Sequence, residues 1–380
     1  MSKVARTLGS RWNGFLRLDL ARGAILPLAV LLLAAGPGCG SDEDEARADG
    51  RQSGIEGLTP DAGPPDAGMP AAAAPQPPAT DTSASEIAGV VAGGTTVHVI
   101  GEGFQGTEGP ITLPDGSLIF TETNANRITR IDANDATSTF LENTNGSNAL
   151  GFDTGGRLIS VQTTPGNTKI GVIYPPGSEA VLSDNFEGKP YGRPNDLVVS
   201  RTGGVYFSEP GPNAPADGST PPPPPLTPAV YYIPPGAAAL RVAEGIERPN
   251  GITLSPDERT LFVNNTAGRY LLAFDVQADG TLQNQRNFAE YDGVTTNANG
   301  TLASGADGLC IDAEGRLYAA TTVGVQVFSA AGQRLGTIPV SRAPQNIAFA
   351  GVGKQTLFIV GRGAAYRVSL LVPGFSGRAK

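Results

Sequence analysis

A short pattern recurs six times between residues 108 and 360 and limits what this chain can fold into. An oxygen-bearing residue opens each copy. A few alternating apolar residues follow, then a turn rich in Gly or Asp, then a second apolar run. Glu108-Gly-Pro-Ile-Thr-Leu-Pro-Asp-Gly-Ser-Leu-Ile-Phe is the first copy, Asn250-Gly-Ile-Thr-Leu-Ser-Pro-Asp-Glu-Arg-Thr-Leu-Phe the fourth and Asp307-Gly-Leu-Cys-Ile-Asp-Ala-Glu-Gly-Arg-Leu-Tyr the fifth; Asn148, Asn195 and Asn346 open the others. The opening residue stands ten positions before the second run at Leu118, Leu158, Val205 and Leu317, and eleven before it at Leu261 and Leu357. Strand-length runs at a period of roughly forty to fifty-six residues predict an all-β chain, a six-bladed β-propeller with one four-stranded sheet per copy. Each blade buries its faces only against its neighbours, so the ring must close. The six opening residues then meet around one channel.

The first forty residues follow different rules. Lys3, Arg6, Arg11, Arg17 and Arg22 precede an apolar run from Ala24 to Ala35 that is too short to span a bilayer and reads as a secretory signal. Cys39 follows in Ala-Ala-Gly-Pro-Gly-Cys-Gly-Ser, which resembles a bacterial lipobox. Residues 1–38 are therefore expected to be a lipoprotein-type signal peptide, with Cys39 carrying a lipid anchor to the membrane. The acidic and Pro/Ala-rich stretch 39–93 reads as a disordered linker, and residues 94–374 as the propeller. The expected location is the periplasm or cell surface, and the expected state a monomer. A formal net charge of −9 for the whole chain, more negative once the basic signal is removed, disfavours nucleic acid as a partner.

The chain contains one histidine, His98, expected on an outer strand that the N-terminal segment adds to the sixth blade. A Ser-His-Asp triad and a multi-histidine zinc site are thereby excluded. Cys310, in the fifth inner strand, reads as a small buried hydrophobe. What converges on the channel is one Glu, one Asp and several Asn, a set of hard oxygen donors suited to a divalent cation, Ca²⁺ first, with Mg²⁺, Mn²⁺ or Zn²⁺ as alternatives. Asn-Gly and Asp-Gly are also common turn dipeptides, so a purely structural role stays open at this point. The loops that begin at Glu122, Gln162, Glu209 and Asn264 should rim the pocket. The Pro-rich insert 209–228 reads either as a stiff lid or as a tolerated insertion.

Glu108-Gly-Pro, Arg193-Pro-Asn-Asp, Arg248-Pro-Asn-Gly-Ile, the Asp307 copy and Pro344-Gln-Asn-Ile-Ala-Phe together resemble the SMP-30/gluconolactonase/LRE family over about residues 100 to 370. The resemblance implies a metal-dependent lactonase acting on a small-molecule lactone or related ester. It implies Glu108, Asn195, Asn250 and Asp307 as metal ligands, with the metal polarising the carbonyl and Asp307 as the catalytic general base. Asn148, Asn195 and Arg193 are assigned to substrate binding. The chain departs from the family at Thr112, where a Trp is frequent, and at Gln162-Thr-Thr-Pro, where some gluconolactonases have a His. Two other readings compete: a non-catalytic propeller that binds a sugar or protein partner, and a bond-forming propeller of the strictosidine-synthase type.

Overall fold

The computed structural model describes residues 76–212, 224–298 and 300–380. Within them the six sequence copies become six antiparallel sheets, with inner strands Thr107–Thr112, Ser147–Phe152, Leu197–Val199, Pro249–Leu254, Leu309–Ile311 and Asn346–Ala350. Blades 1 to 5 have four strands each. Alternation of apolar residues lets both faces of every sheet pack, and the core is accordingly a set of wedges between neighbouring blades. Val198, Tyr206 and Val230 of blade 3 meet Ile252, Leu261 and Val263 of blade 4 in one such wedge. Leu271 and Ala273 of blade 4 meet Leu309, Leu317 and Phe328 of blade 5 in the next.

Blade 6 is closed by the N-terminal segment. Thr96–Glu102 pairs with Ala364–Ser369, with His98 opposite Arg367. His98 is partly exposed there and contacts Asp81 at 3.2 Å, on the outside of the ring. Such closure through distant segments removes an exposed sheet edge.

Among the described residues, folded chain extends on both sides of the expected span 94–374. Thr82–Ser83 adds a fifth strand to blade 6. Ala84, Ile87, Val90 and Val91 are buried in the wedge with Ile338, Ile347 and Ile359. The expected linker thus gives way to folded chain well before residue 93, because Ile87, Val90 and Val91 supply apolar area that the preceding Ala/Pro tract lacks. Ile87→Ala is expected to destabilise the domain by about 2–4 kcal/mol, read as a lower midpoint in urea unfolding; a mere tether would leave the midpoint unchanged. The expected signal peptide, Cys39 and the linker up to residue 75 lie outside the described residues.

After the last strand, residues 370–380 cross the end of the ring where the Asp115-Gly and Glu314-Gly turns lie. Phe375 N–H donates to the Ile311 carbonyl at 3.1 Å, and Thr112 N–H donates to the Ala379 carbonyl at 2.8 Å. The Arg378 guanidinium donates to the carbonyls of Leu254 and Ser255. A cavity of about 800 Å³ opens between this tail and the turns, lined by Pro114, Asp153, Ser200 and Lys354 among others.

Candidate functional site

At the other end of the inner strands the opening residues form a ring in which each blade touches the next. Asn346 Nδ2 donates to Glu108 Oε2 at 3.1 Å, joining blades 6 and 1. Asn148 Nδ2 donates to the Asn195 carbonyl at 2.9 Å, joining blades 2 and 3. Asp196 Oδ2 accepts from Ile252 N–H at 3.0 Å, joining blades 3 and 4. Gly251 N–H donates to the Asp307 carbonyl at 3.0 Å, and Gly308 N–H to the Gln345 carbonyl at 2.7 Å, completing blades 4 to 6.

Blades 1 and 2 meet by close approach. A Cβ on Gly109 would stand 2.1 Å from the Asn148 carbonyl oxygen; one on Gly251 would stand 2.0 Å from the Asp307 carbonyl, and one on Gly308 2.1 Å from Asn346 Oδ1. The glycines of Glu-Gly, Asn-Gly and Asp-Gly are therefore dictated by the neighbouring blade. At Gly251 and Gly308 local turn formation, left open by the sequence, does not account for them, and at Gly109 the close approach adds to a φ of 48° that already favours glycine.

Glu108, Asn195 and Asn250 are buried, and Asp307 keeps some solvent exposure as a residue while its Oδ1 is closed off. Asn195 Oδ1, Asn250 Oδ1 and Asp307 Oδ1 are buried acceptors without a hydrogen-bond donor. Buried acceptors are nearly always satisfied in folded proteins, so three orphans at three positions of one ring mark a place where something electropositive belongs. Burial pushes the Asp307 carboxyl well above the usual carboxylate range, and the nearby Glu108 charge adds to this. Burial likewise raises Glu108, opposed by the hydrogen bond from Asn346. Two mutually repelling carboxylates and two amide oxygens form a donor set that fits a hard divalent cation. Among the described residues no group of three His, Cys, Asp or Glu side chains is placed to hold a metal; here amides would complete the shell.

Asn148 and Asn346 have another role. Asn148 spends its N–H on Asn195, and its Oδ1 lies 3.5 Å from Thr123 Oγ1. Asn346 turns Nδ2 toward Glu108 while its Oδ1 accepts from Ile347 N–H at 2.9 Å. Both orient their neighbours.

Support comes from residues at the ends of the second strands, three of which, Glu122, Gln162 and Glu209, sequence reasoning treated as the beginnings of rim loops. Glu122, Gln162, Glu209 and Asn265 end the second strands, fourteen or fifteen positions after Glu108, Asn148, Asn195 and Asn250. Each pins the chain that leads into its own inner strand. Glu122 accepts from Gln105 N–H at 2.9 Å, Gln162 from Asn145 Nδ2 at 3.0 Å, Glu209 from Arg193 N–H at 2.9 Å and Asn265 from Arg248 N–H at 3.1 Å. Their fixed offset was the signal that could have found them. Arg193 and Arg248 are thus placed at the mouth, two residues before Asn195 and Asn250; Arg248 Nη1 also donates to the Pro212 carbonyl at 3.1 Å, in the described part of the insert.

Asn264, expected to begin a rim loop, lies within its strand and braces Asp307 instead. Its Nδ2 donates to the Asp307 carbonyl at 2.7 Å, and its Oδ1 accepts from the buried Tyr291 hydroxyl at 2.7 Å. Asn264→Ala would leave that hydroxyl unsatisfied and free the Asp307 main chain. The expected cost is about 1–3 kcal/mol of stability, measured by chemical denaturation, with Tyr291→Phe milder. Thr112 sits at the opposite end of its strand, against the tail, so the departure from the family at this position does not reach the ring.

The chain matches the SMP-30/Gluconolactonase/LRE-like region over residues 106–362. It belongs to that family. A gluconolactonase of Zymomonas mobilis is 28% identical over 70% of this chain and 78% of its own length. A lactonohydrolase of Aspergillus oryzae is 25% identical over 50% of this chain and 47% of that protein. The solved structure of a gluconolactonase from Xanthomonas campestris superposes with a TM-score of 0.65 at 27% identity, covering 78% of this chain and 99% of that one. The family residues extend across all six inner strands, so the ring described above lies wholly within the matched region.

Proposed function

We propose that this member of the family is a lactonase that hydrolyses a sugar-type lactone, or a related ester, in the channel ringed by Glu108, Asn195, Asn250 and Asp307. The observation that carries the reading is the set of orphaned oxygens on Asn195, Asn250 and Asp307, with Glu108 alongside. Those four residues would hold a divalent cation, Ca²⁺ first, and such an ion, when bound, polarises a carbonyl and offsets the burial of the two carboxylates.

The chain's own groups account for the rest. Arg193 orients the lactone hydroxyls at the mouth, and Asn148 holds the Asn195 main chain beneath it. Asp307 takes a proton from water as the water oxygen bonds to the carbonyl carbon. The ring C–O bond then breaks, and the proton held on Asp307 passes to the departing alkoxide, giving a hydroxy acid. Asn264 and Gly251 keep Asp307 in place through its carbonyl. Export through the N-terminal signal and tethering at Cys39 belong to the same proposal, checked by mass spectrometry for a lipid on Cys39.

The test is turnover of a lactone panel, beginning with glucono-δ-lactone, before and after stripping with EDTA. The reading predicts saturable acid release above the spontaneous rate, lost on stripping and restored by Ca²⁺. Tight lactone binding without turnover would move the protein to the binding-module reading.

A further inference from the structure

The channel holds a third carboxylate that the reaction does not use. Asp196 follows Asn195 directly and is 1% exposed at its side chain; its Oδ1 accepts from Leu197 N–H and its Oδ2 from Ile252 N–H. It lies between two proposed ligand positions, Asn195 and Asn250. The charge of Asp196 bears on both Glu108 and Asp307. Left alone, Glu108, Asp196 and Asp307 would present three negative charges to one divalent ion.

The tail supplies the balance. Lys380 enters the channel from the end opposite the mouth, its side chain 7% exposed, and its Nζ forms an ion pair with Asp196 Oδ2. The approach is built: Ala379 is held by Thr112, Arg378 by the Leu254 and Ser255 carbonyls and Glu258, and Lys354 Nζ donates to the Phe375 carbonyl at 3.0 Å. Blades 1, 4 and 6 thus contribute contacts that carry one ammonium to one buried carboxylate on blade 3. Arg193 brings positive charge to bear on both Glu108 and Asp307 from a partly exposed position, and Arg362 on Asp307 from an exposed one, but neither is paired with Asp196 as Lys380 is.

We propose that Lys380 is the counter-ion that sets the charge of the channel: by neutralising Asp196 it leaves Glu108 and Asp307 as a pair matched to a divalent cation, and so tunes how tightly that cation is held. The proposal rests on the cation assigned to the ring above. A buried ion pair broken on one side leaves an uncompensated charge, which weakens the fold and attracts a cation. The two effects separate a charge-setting role from a merely structural one, because loosened packing would weaken cation binding.

The experiment is calorimetric titration of EDTA-stripped protein with CaCl₂, with thermal unfolding in EDTA and in Ca²⁺. Lys380→Met is expected to bind Ca²⁺ about five- to ten-fold more tightly than wild type, the scale of one unit charge acting on a divalent ion inside a protein. It should also melt lower in EDTA and gain more from Ca²⁺ than wild type does. Lys380→Arg keeps the charge and should keep wild-type affinity. Asp196→Asn combined with Lys380→Met restores neutrality without a buried charge; it should fold even if the single variant does not, and bind as wild type does. A Lys380→Met protein that binds no more tightly than wild type overturns the proposal, as does a double variant that departs in affinity by more than about three-fold. A wild type that takes up no Ca²⁺, Mg²⁺, Mn²⁺ or Zn²⁺ overturns the reading of the ring and this proposal with it, an outcome distinct from the other two.

Discussion

Asp307→Asn is expected to lower kcat/KM for lactone hydrolysis by about 10³- to 10⁴-fold while leaving the protein folded, since it removes both a proton acceptor and one of two anionic ligands. The amide keeps the shape of the side chain and an oxygen where Oδ1 now stands. What it removes is a charge that burial and Glu108 together oppose in the cation-free protein. Stability in EDTA should therefore hold or rise, because a buried, mutually repelling carboxylate is replaced by a neutral group. The pairing of a large kinetic loss with an unchanged or higher melting temperature is the signature of a functional carboxylate. Steady-state acid release and thermal unfolding on the same preparation read both. A variant retaining a tenth of the activity would take Asp307 out of the chemistry.

Gly251→Ala tests the architecture that places it. A methyl at this position would stand 2.0 Å from the Asp307 carbonyl oxygen and 2.9 Å from the Gly308 carbonyl carbon, all backbone atoms with no side chain to turn aside. The same Gly251 donates its N–H to that Asp307 carbonyl. Relief requires blades 4 and 5 to part at the ring, with an expected cost of about 3 kcal/mol, the upper end of what overpacking costs in a tight interior. For a domain of this size that is a fall in Tm of roughly 5 °C. Calcium affinity should fall as well, because Asp307 and Asn250 move relative to one another. Differential scanning calorimetry with and without Ca²⁺ checks both. A silent Gly251→Ala would mean that glycine is present for turn conformation, or not needed at all.

These two substitutions also show what could be read from the chain and what could not. The ring of opening residues was legible because an oxygen-bearing residue keeps a constant distance from the next apolar run in six copies, and strand register converts constant spacing into equivalent position. The reason for the following glycines was hidden, since close approach to Asn148, Asp307 and Asn346 is a relation between residues about forty to sixty positions apart, on neighbouring blades. Glu122, Gln162, Glu209 and Asn265 obey the same spacing rule as the ring. Chain direction made Glu122, Gln162 and Glu209 read as loop beginnings, and only the hydrogen bonds they and Asn265 accept from the chain before each inner strand reveal braces. The edges of the domain were misjudged for a compositional reason. Ile87, Val90 and Val91 follow a long Ala/Pro tract that masks them, and the apolar residues of the final eleven, among them Leu370, Val372 and Phe375, do not alternate as a strand would. Leu370 and Phe375 pack against the blades, and polar contacts to main-chain carbonyls, which no hydropathy pattern records, hold the rest of the tail.

The central claim is that side chains from four blades, Glu108, Asn195, Asn250 and Asp307, grip a divalent cation. Calorimetric titration of the EDTA-stripped wild-type protein with CaCl₂, run beside Glu108→Gln/Asp307→Asn, tests it most directly. The account predicts one saturable site per chain in the wild type and no heat above dilution in the double variant. Equal binding by the two proteins would place the cation elsewhere, and the absence of binding by the wild type, with the other divalent ions also failing, would contradict the account outright.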